Sequence, residues 1–325
     1  MSVTSLPPAE AVESFECFGG SCTVLVQGSG PAGRPAEAVE RVKRRMLEWH
    51  SQFSRFEPSS ELSLLNQDPR ERVPVSAIMA RFVAAAVCAA ELTGGLVDPT
   101  LVSEVEKAGY TGDFAAAHAG APVPGGVQAS AQAGRTHARP TPAAPHPDAR
   151  WRRITVDRDN AVVIRPPGLR LDSGGVAKGL FGDVLASALS RHDSFAVVAA
   201  GDVRFGGAGD VIRPVHITSP LASGEVLHTF ELGRGAVATS GTTKRSWVDQ
   251  RGSLAHHLID PATGTPAFTG VVQATALAPT GVEAEALAKA ALLAGAGRAA
   301  GWLYHGGVVV YDDGTHEVVE PEACA

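Results

Sequence analysis

Excess positive charge is missing from this chain: 28 Lys and Arg stand against 34 Asp and Glu, for a formal net charge of -6. A nucleic-acid binder concentrates basic residues on one face, and attachment to an anionic membrane surface needs the same, so both classes are disfavoured. Long apolar runs are missing too. No segment approaches the ~20 apolar residues of a membrane-spanning helix, so no membrane insertion is expected. The stretch from Met1 to Glu13 is acidic and lacks the apolar region of a secretory signal. Cysteine is scarce, at Cys17, Cys22, Cys88 and Cys324, with no C-x-x-C pair. Free thiols in a reduced compartment are favoured over a disulfide framework. A soluble cytoplasmic protein is the expectation.

What is present is enough chain, 325 residues, to bury a full core as one large domain or two small ones. Residues 14–27 alternate as a strand after a Gly-Gly turn, and residues 36–53 carry apolar positions in helical order. A polar loop with one apolar turn follows over 54–67, then an Ala-rich helix over 74–94 closed by Gly94 and Gly95. Asp98, Pro99 and Thr100 start a short helix running to about Ala108. Residues 115–149 are Ala, Pro, Gly and His with almost no large apolar residue, which reads as a disordered or loosely packed insertion. A hairpin is expected over 152–165, turning near Arg158, Asp159 and Asn160. A turn and helix span 171–191. Strands are expected at 195–199, 211–217, 226–232, 235–239, 254–259, 271–277 and 307–311, and an Ala-rich helix at 281–295. The first predicts an extension over 203–205. Folded segments 14–114 and 150–320 thus lie between a flexible start, 1–13, and a tail, 321–325. Strands and helices alternate without a regular period, so the class is α+β.

Five short stretches carry polar chemistry. In Leu171-Asp-Ser-Gly-Gly-Val-Ala-Lys-Gly-Leu-Phe-Gly182, two glycines turn the chain after a strand and Lys178 opens a helix. Glycines let backbone N–H groups approach a phosphate, and the helix N-terminus and Lys178 add positive charge. A structural turn with a solvated lysine is equally compatible with these residues. Ala238-Thr-Ser-Gly-Thr-Thr-Lys244 suits anion binding or a helix cap. In His256-His-Leu-Ile-Asp-Pro-Ala-Thr-Gly264, one histidine could act as a general base, and on a strand only one of the two can face a given site. Asp98 in Gly95-Leu-Val-Asp-Pro-Thr100 is placed to cap a helix. Asp202 follows a buried strand, where its carboxylate could meet a ribose or a ring nitrogen.

Together, in this order, these stretches resemble the ApbE family of FAD:protein FMN transferases. Phe18-Gly19-Gly20 stands where the family has a strand ending in a Gly-Thr pair. The family's S-R-F-x-x-x-S-E-L-x-x-L-N is matched by Ser54, Arg55, Phe56, Ser60, Glu61, Leu62, Leu65 and Asn66. Its T-G-G-x-x-D-P-T is matched by Thr93, Gly94, Gly95, Asp98, Pro99 and Thr100. Its D-x-G-G-x-A-K-G-x-x-x-D is matched by Asp172, Gly174, Gly175, Ala177, Lys178, Gly179 and Asp183. Thr239, Ser240 and Gly241 match T-S-G, and His257, Ile259, Asp260, Pro261, Thr263, Gly264 and Pro266 match H-x-I-D-P-x-T-G-x-P. The segment 115–149 lies outside the resemblance.

The resemblance implies a compact α+β fold with FAD in a cleft. It also implies attack by a Ser or Thr hydroxyl of an acceptor protein on the FMN phosphorus, with AMP leaving. His257 becomes the base, Lys178 faces the phosphates, and Asp202 fixes the flavin or ribose end. Ser54, Arg55, Phe56, Asp98, Asp172, Gly174, Gly175, Thr239, Ser240, Gly241 and Asp260 complete the implied FAD site. A metal, usually Mg²⁺, is implied on an Asp and a Thr of a late helix and the backbone carbonyl matched by Ala177. Here the Asp is Glu285 and the Thr is Lys289, spaced as an ion pair on one helix face. A protonated lysine cannot ligate Mg²⁺. Several consequences stay open: Lys289 neutralises the pyrophosphate in the metal's place, or simply pairs with Glu285 at the surface, or the protein binds FAD without cleaving it. Hydrolysis of FAD to FMN and AMP is a further alternative. The usual Gly-Gly-Asp is Ala200-Gly201-Asp202, a change of one methyl expected to matter little.

Overall fold

The computed structural model describes residues 10–30, 33–112, 139–249 and 252–321. Its frame is an eight-stranded sheet in the order β1-β2-β6-β7-β10-β15-β16-β17, antiparallel throughout. The strands are β1 (Glu10–Cys17), β2 (Gly20–Gln27), β6 (Ser194–Ala199), β7 (Asp202–Gly206), β10 (Gly235–Gly241), β15 (Val271–Ala278), β16 (Gly307–Tyr311) and β17 (His316–Val319). Period-two alternation sends Phe195, Val197 and Ala199 to one face and Ala196 to the other. On the first face lie the helices α1 (Pro35–Phe53), α5 (Ala177–Leu189) and α6 (Gly281–Ala294). On the second face, Ile217 and Phe230 of the hairpin β8 (Arg213–Thr218) and β9 (Val226–Leu232) cover Phe205, Val237, Leu277 and Val308. A small sheet, β3-β5-β4, sits beside α3 (Ala77–Leu92), with β3 at Arg72–Pro74, β4 at Thr155–Asp157 and β5 at Val162–Ile164.

The α+β expectation holds, with differences at particular elements. Residues 14–27 are not one strand but part of the β1–β2 hairpin. Its two turn residues, Phe18 and Gly19, both take positive φ, +54° and +71°, as the twist of a two-residue hairpin turn demands. Phe18 is held there by the ring of Phe181, 5.5 Å away, and by its N–H, which donates to His50 Nδ1 at 3.3 Å. Strand β1 takes in residues 10–13 of the expected flexible start; residues 1–9 and the tail beyond 321 lie outside the described residues. No strand precedes Leu171: β5 ends at Ile164 and a loop leads on. The expected strand 254–259 is broken into β12 (Leu254–His256), paired with β11 (Ser246–Val248), and β13 (Ile259–Asp260), paired with β14 (Thr265–Pro266).

Residues 115–138 of the low-complexity segment lie outside the described residues, but 139–149 are packed against the body. Thr141 and Ala143 donate their N–H groups to Phe268 O and Leu293 O at 3.0 and 2.9 Å, and Ala143 is buried. Backbone hydrogen bonding, which composition does not register, holds this part in place.

The contact that matters most for position is between α5 and α6. At their crossing Gly179 meets Gly281, and a Cβ added to Gly179 would stand 2.3 Å from Gly281 O. Only glycine at this point lets the helix starts approach so closely. Asp183, one turn further along α5, accepts the N–H groups of Gly281 and Val282 at 2.8 and 3.1 Å, satisfying donors that α6 cannot satisfy itself. Among the described residues no helix is long and apolar enough to cross a membrane.

Candidate active site

A cavity of about 210 Å³ opens between the loop at Phe18, the end of α1, the loop 96–101, the turn 172–177 and the segment 257–259. The sequence S-R-F-x-x-x-S-E-L-x-x-L-N builds much of its wall. Ser60 caps α2 (Glu61–Gln67), its hydroxyl accepting from Ser63 N at 3.0 Å. The Glu61 carboxylate reaches the start of α3, accepting from Ser76 N and Ser76 Oγ at 2.5 and 2.7 Å. Asn66 grips the backbone of Leu171 on both sides, donating to its carbonyl at 2.8 Å and accepting its N–H at 2.7 Å. Asp172 N donates to Pro99 O at 2.9 Å and Ser173 Oγ to Phe53 O at 3.0 Å. The turn carrying Ser173, Gly174 and Gly175 is thereby fixed to two separate motifs before Lys178 begins its helix.

One end of the cavity is aromatic. The Arg55 guanidinium lies 4.4 Å from the Phe56 ring centre and 4.6 Å from that of Tyr110, and donates to Tyr110 O at 2.8 Å. Its Nε stands 3.7 Å from Asp172 Oδ1. Tyr110 in turn stacks on Trp247 at 5.6 Å. Asp98 also lines the cavity. Its Oδ1 accepts from Thr100 N and Oγ1 at 2.8 and 2.6 Å, while Oδ2 is buried with no hydrogen-bond partner.

The cavity is also lined by three cations, Lys178, Arg245 and Lys289. Lys178 Nζ contacts Asp202 Oδ2 and lies 2.9 Å from Glu285 Oε1. Glu285 is buried and receives two further donors: Gly179 N reaches its Oε2 at 2.8 Å, and Lys289 Nζ its Oε1 at 3.5 Å. Burial alone would raise the Glu285 carboxyl, but Lys178, Lys289 and the Gly179 N–H outweigh it and hold the group ionised. Burial pulls the Lys178 ammonium down, with Lys289 and Arg245 acting the same way against Glu285.

The adjacent histidines part company. His256 is buried against the Phe268 ring, and burial lowers its pKa to about 4. His257 lines the cavity, and burial, Arg245 and His256 press it well below its usual range, so it is neutral at pH 7. Its Nδ1 faces Arg245 O at 3.4 Å. A carbonyl can only accept, so the proton sits on Nδ1 and Nε2 keeps its lone pair.

Of the residues singled out in the sequence, Ser54, Arg55, Phe56, Asp98, Asp172, Gly174, Gly175, Ala177, Lys178, His257 and Lys289 share this cavity. Others stand apart from its lining. Asp202 lies behind Lys178, contacting its ammonium, and its Oδ1 accepts from Thr239 N at 2.9 Å. Thr239 Oγ1 is 2.9 Å from Thr275 Oγ1, and Ser240 is buried in β10, the strand that ends at Gly241. No helix follows these residues, so they do not cap one. Asp260 organises its own turn, accepting from Ala144 N, Ala262 N and Thr263 Oγ1 at 3.0 to 3.1 Å. Sequence reasoning missed Arg245 and Tyr110. The first follows the hydroxyl-rich run directly, a basic residue where an anion was suspected. The second is one of only 3 tyrosines, with no motif around it.

The metal implied by the resemblance does not fit these residues. Glu285 already takes up three donors on its two oxygens, and an ammonium stands at the second ligand position, where it would repel a dication.

Residues 18–311 match the model of the ApbE family. The chain is 28% identical over 295 residues to the FAD:protein FMN transferase of Treponema pallidum (strain Nichols), covering 86% of this chain and 77% of that one. It is 25% identical over 274 residues to that of Haemophilus influenzae, covering 80% and 73%. Among solved structures, the ApbE protein of Thermotoga maritima superposes with a TM-score of 0.73 at 26% identity, covering 96% of this chain and 97% of that one. The flavin transferase ApbE of Vibrio cholerae shares the fold at a TM-score of 0.69 and 21% identity, covering 97% and 99%.

Proposed function

The chain belongs to the ApbE family, and we propose that it moves FMN from FAD onto a Ser or Thr hydroxyl of an acceptor protein, releasing AMP. The observation that carries this reading is one cavity lined by the aromatic rings of Phe56 and Tyr110, by the cations Lys178, Arg245 and Lys289, and by a neutral histidine, His257, 6.5 Å from the Tyr110 ring. A flat flavin ring suits the first, a diphosphate the second, and a hydroxyl awaiting deprotonation the third.

In this reading the acceptor oxygen attacks the phosphorus of the FMN half. An O–P bond to the protein forms as the P–O bond to AMP breaks, and AMP leaves with the bonding pair. The hydroxyl proton passes to Nε2 of His257, whose Nδ1–H remains on Arg245 O. The positive wall lowers the cost of charge gathering on the leaving phosphate. Lys178 is held in place by Asp202 and Glu285, so it is aimed before FAD arrives.

The test is incubation of the purified protein with FAD and a Ser/Thr acceptor peptide. Flavin bound covalently to the peptide, with one AMP per peptide, is expected. AMP and free FMN without labelled peptide means hydrolysis, and intact FAD means binding alone; either result removes the transferase reading.

A further inference from the structure

We infer that the Lys289 ammonium is a direct ligand of the FAD diphosphate and does the work of a divalent cation, so that this protein binds its substrate without metal. The inference rests on the transferase reading for the identity of the ligand, but its grounds lie in the cluster itself. Lys178, Lys289 and Arg245 line the cavity, and the carboxylates paired with the two lysines, Asp202 and Glu285, stand behind its wall. Both carboxylates face Lys178, whereas Lys289 reaches Glu285 only at 3.5 Å, through an oxygen that Lys178 already occupies at 2.9 Å. The Lys289 ammonium is thus the more loosely committed of the two, on a side chain only 13% exposed. A half-buried cation so weakly paired is suited to a polyanion that completes its hydrogen bonds. The same arrangement excludes a divalent ion. Such an ion needs several oxygen ligands, but Lys178 holds Glu285 Oε1 and Gly179 N holds Oε2, and the Lys289 ammonium beside them would repel it.

The helix crossing makes this geometry obligatory. Glu285 and Lys289 lie one turn apart on α6, and Gly179 against Gly281 brings the start of α5 up to that same face. Lys178 and Lys289 are therefore placed on one carboxylate by the backbone, before any ligand is present.

The experiment measures affinity for FAD, ADP and riboflavin in EDTA and in Mg²⁺, for the wild type, Lys289→Met and Lys289→Arg. Wild-type affinity for FAD and ADP is expected to agree within about twofold between EDTA and Mg²⁺. Lys289→Met is expected to weaken FAD and ADP by about tenfold or more, the scale of one lost charge-assisted hydrogen bond. Riboflavin, which has no phosphate, is expected to bind equally to all three, which also reports that the variants are folded. Lys289→Arg keeps the charge and is expected to recover most of the loss. A wild type that loses FAD in EDTA, or a Lys289→Met variant that binds FAD and ADP as tightly as the wild type, overturns the inference. So does a protein that binds neither FAD nor ADP. If binding behaves as expected but no peptide is labelled, the charge assignment stands and the transferase reading falls.

Discussion

Ala200 sits at φ +52° in the turn between β6 and β7, where an L side chain crowds its own carbonyl. The methyl that sequence comparison treats as trivial is therefore strained, by about 1 kcal/mol or more. Glycine would relieve the strain but adds roughly 0.4–1 kcal/mol of unfolded-state entropy. The strain wins narrowly: Ala200→Gly is expected to raise the thermal midpoint by about 1–2 °C, and a fall in calorimetry would contradict the strain. His257 makes a second residue-scale claim. A base must be unprotonated, and burial holds its pKa well below 6.5. As pH falls, the transfer rate is expected to stay level through 6.5 and to drop only at more acid pH. A pH–rate profile half lost at pH 6.5 would show a base of ordinary pKa. At this scale the sequence named the reacting groups but not their partners. Asp202 was legible as a match to the family's Gly-Gly-Asp, yet its service to Lys178 depends on which carboxylate lies across from a half-buried ammonium.

At the scale of elements, the crossing of α5 and α6 is what makes a site of separate motifs. Gly179→Ala tests it. Within an isolated helix the change would gain about 1 kcal/mol in propensity. Here the new Cβ would lie 2.3 Å from Gly281 O, backbone that cannot turn aside. Overpacking of this kind costs typically 1–3 kcal/mol, so the clash outweighs the propensity. The variant is expected to lose stability in urea and to bind FAD more weakly, because Gly179 N would also move off Glu285. A more stable variant would mean that the helices part at no cost. Most helices were legible from apolar periodicity, as in Val39, Val42, Met46 and Trp49 of α1, which are buried as spaced. The broken strand at 254–259 was not, since a break at His257 leaves no mark in composition.

For the whole molecule, the cavity is assembled from stretches more than a hundred residues apart, as the bond between Asn66 and Leu171 shows. A ligand that fills it ties these stretches together only in the folded state. FAD at about 100 times its Kd adds about 2.7 kcal/mol, which is expected to raise the midpoint by roughly 5 °C. A midpoint indifferent to saturating FAD would mean that the folded chain does not bind it.

The sequence by itself determined the class, the family resemblance and the identity of the residues that could do chemistry. These depend on local spacing: glycines before a lysine, a histidine before a turn, a lysine four residues after a glutamate. Only the tertiary structure decided which of them share a cavity. It withdrew Asp202, Thr239, Ser240, Gly241 and Asp260 from the lining and brought in Arg245 and Tyr110. The reason is physical. A carboxylate or an ammonium takes its role from what lies within a few ångströms of it, and for Lys178, Glu285 and Lys289 that is fixed by a helix crossing between residues about a hundred apart in the chain.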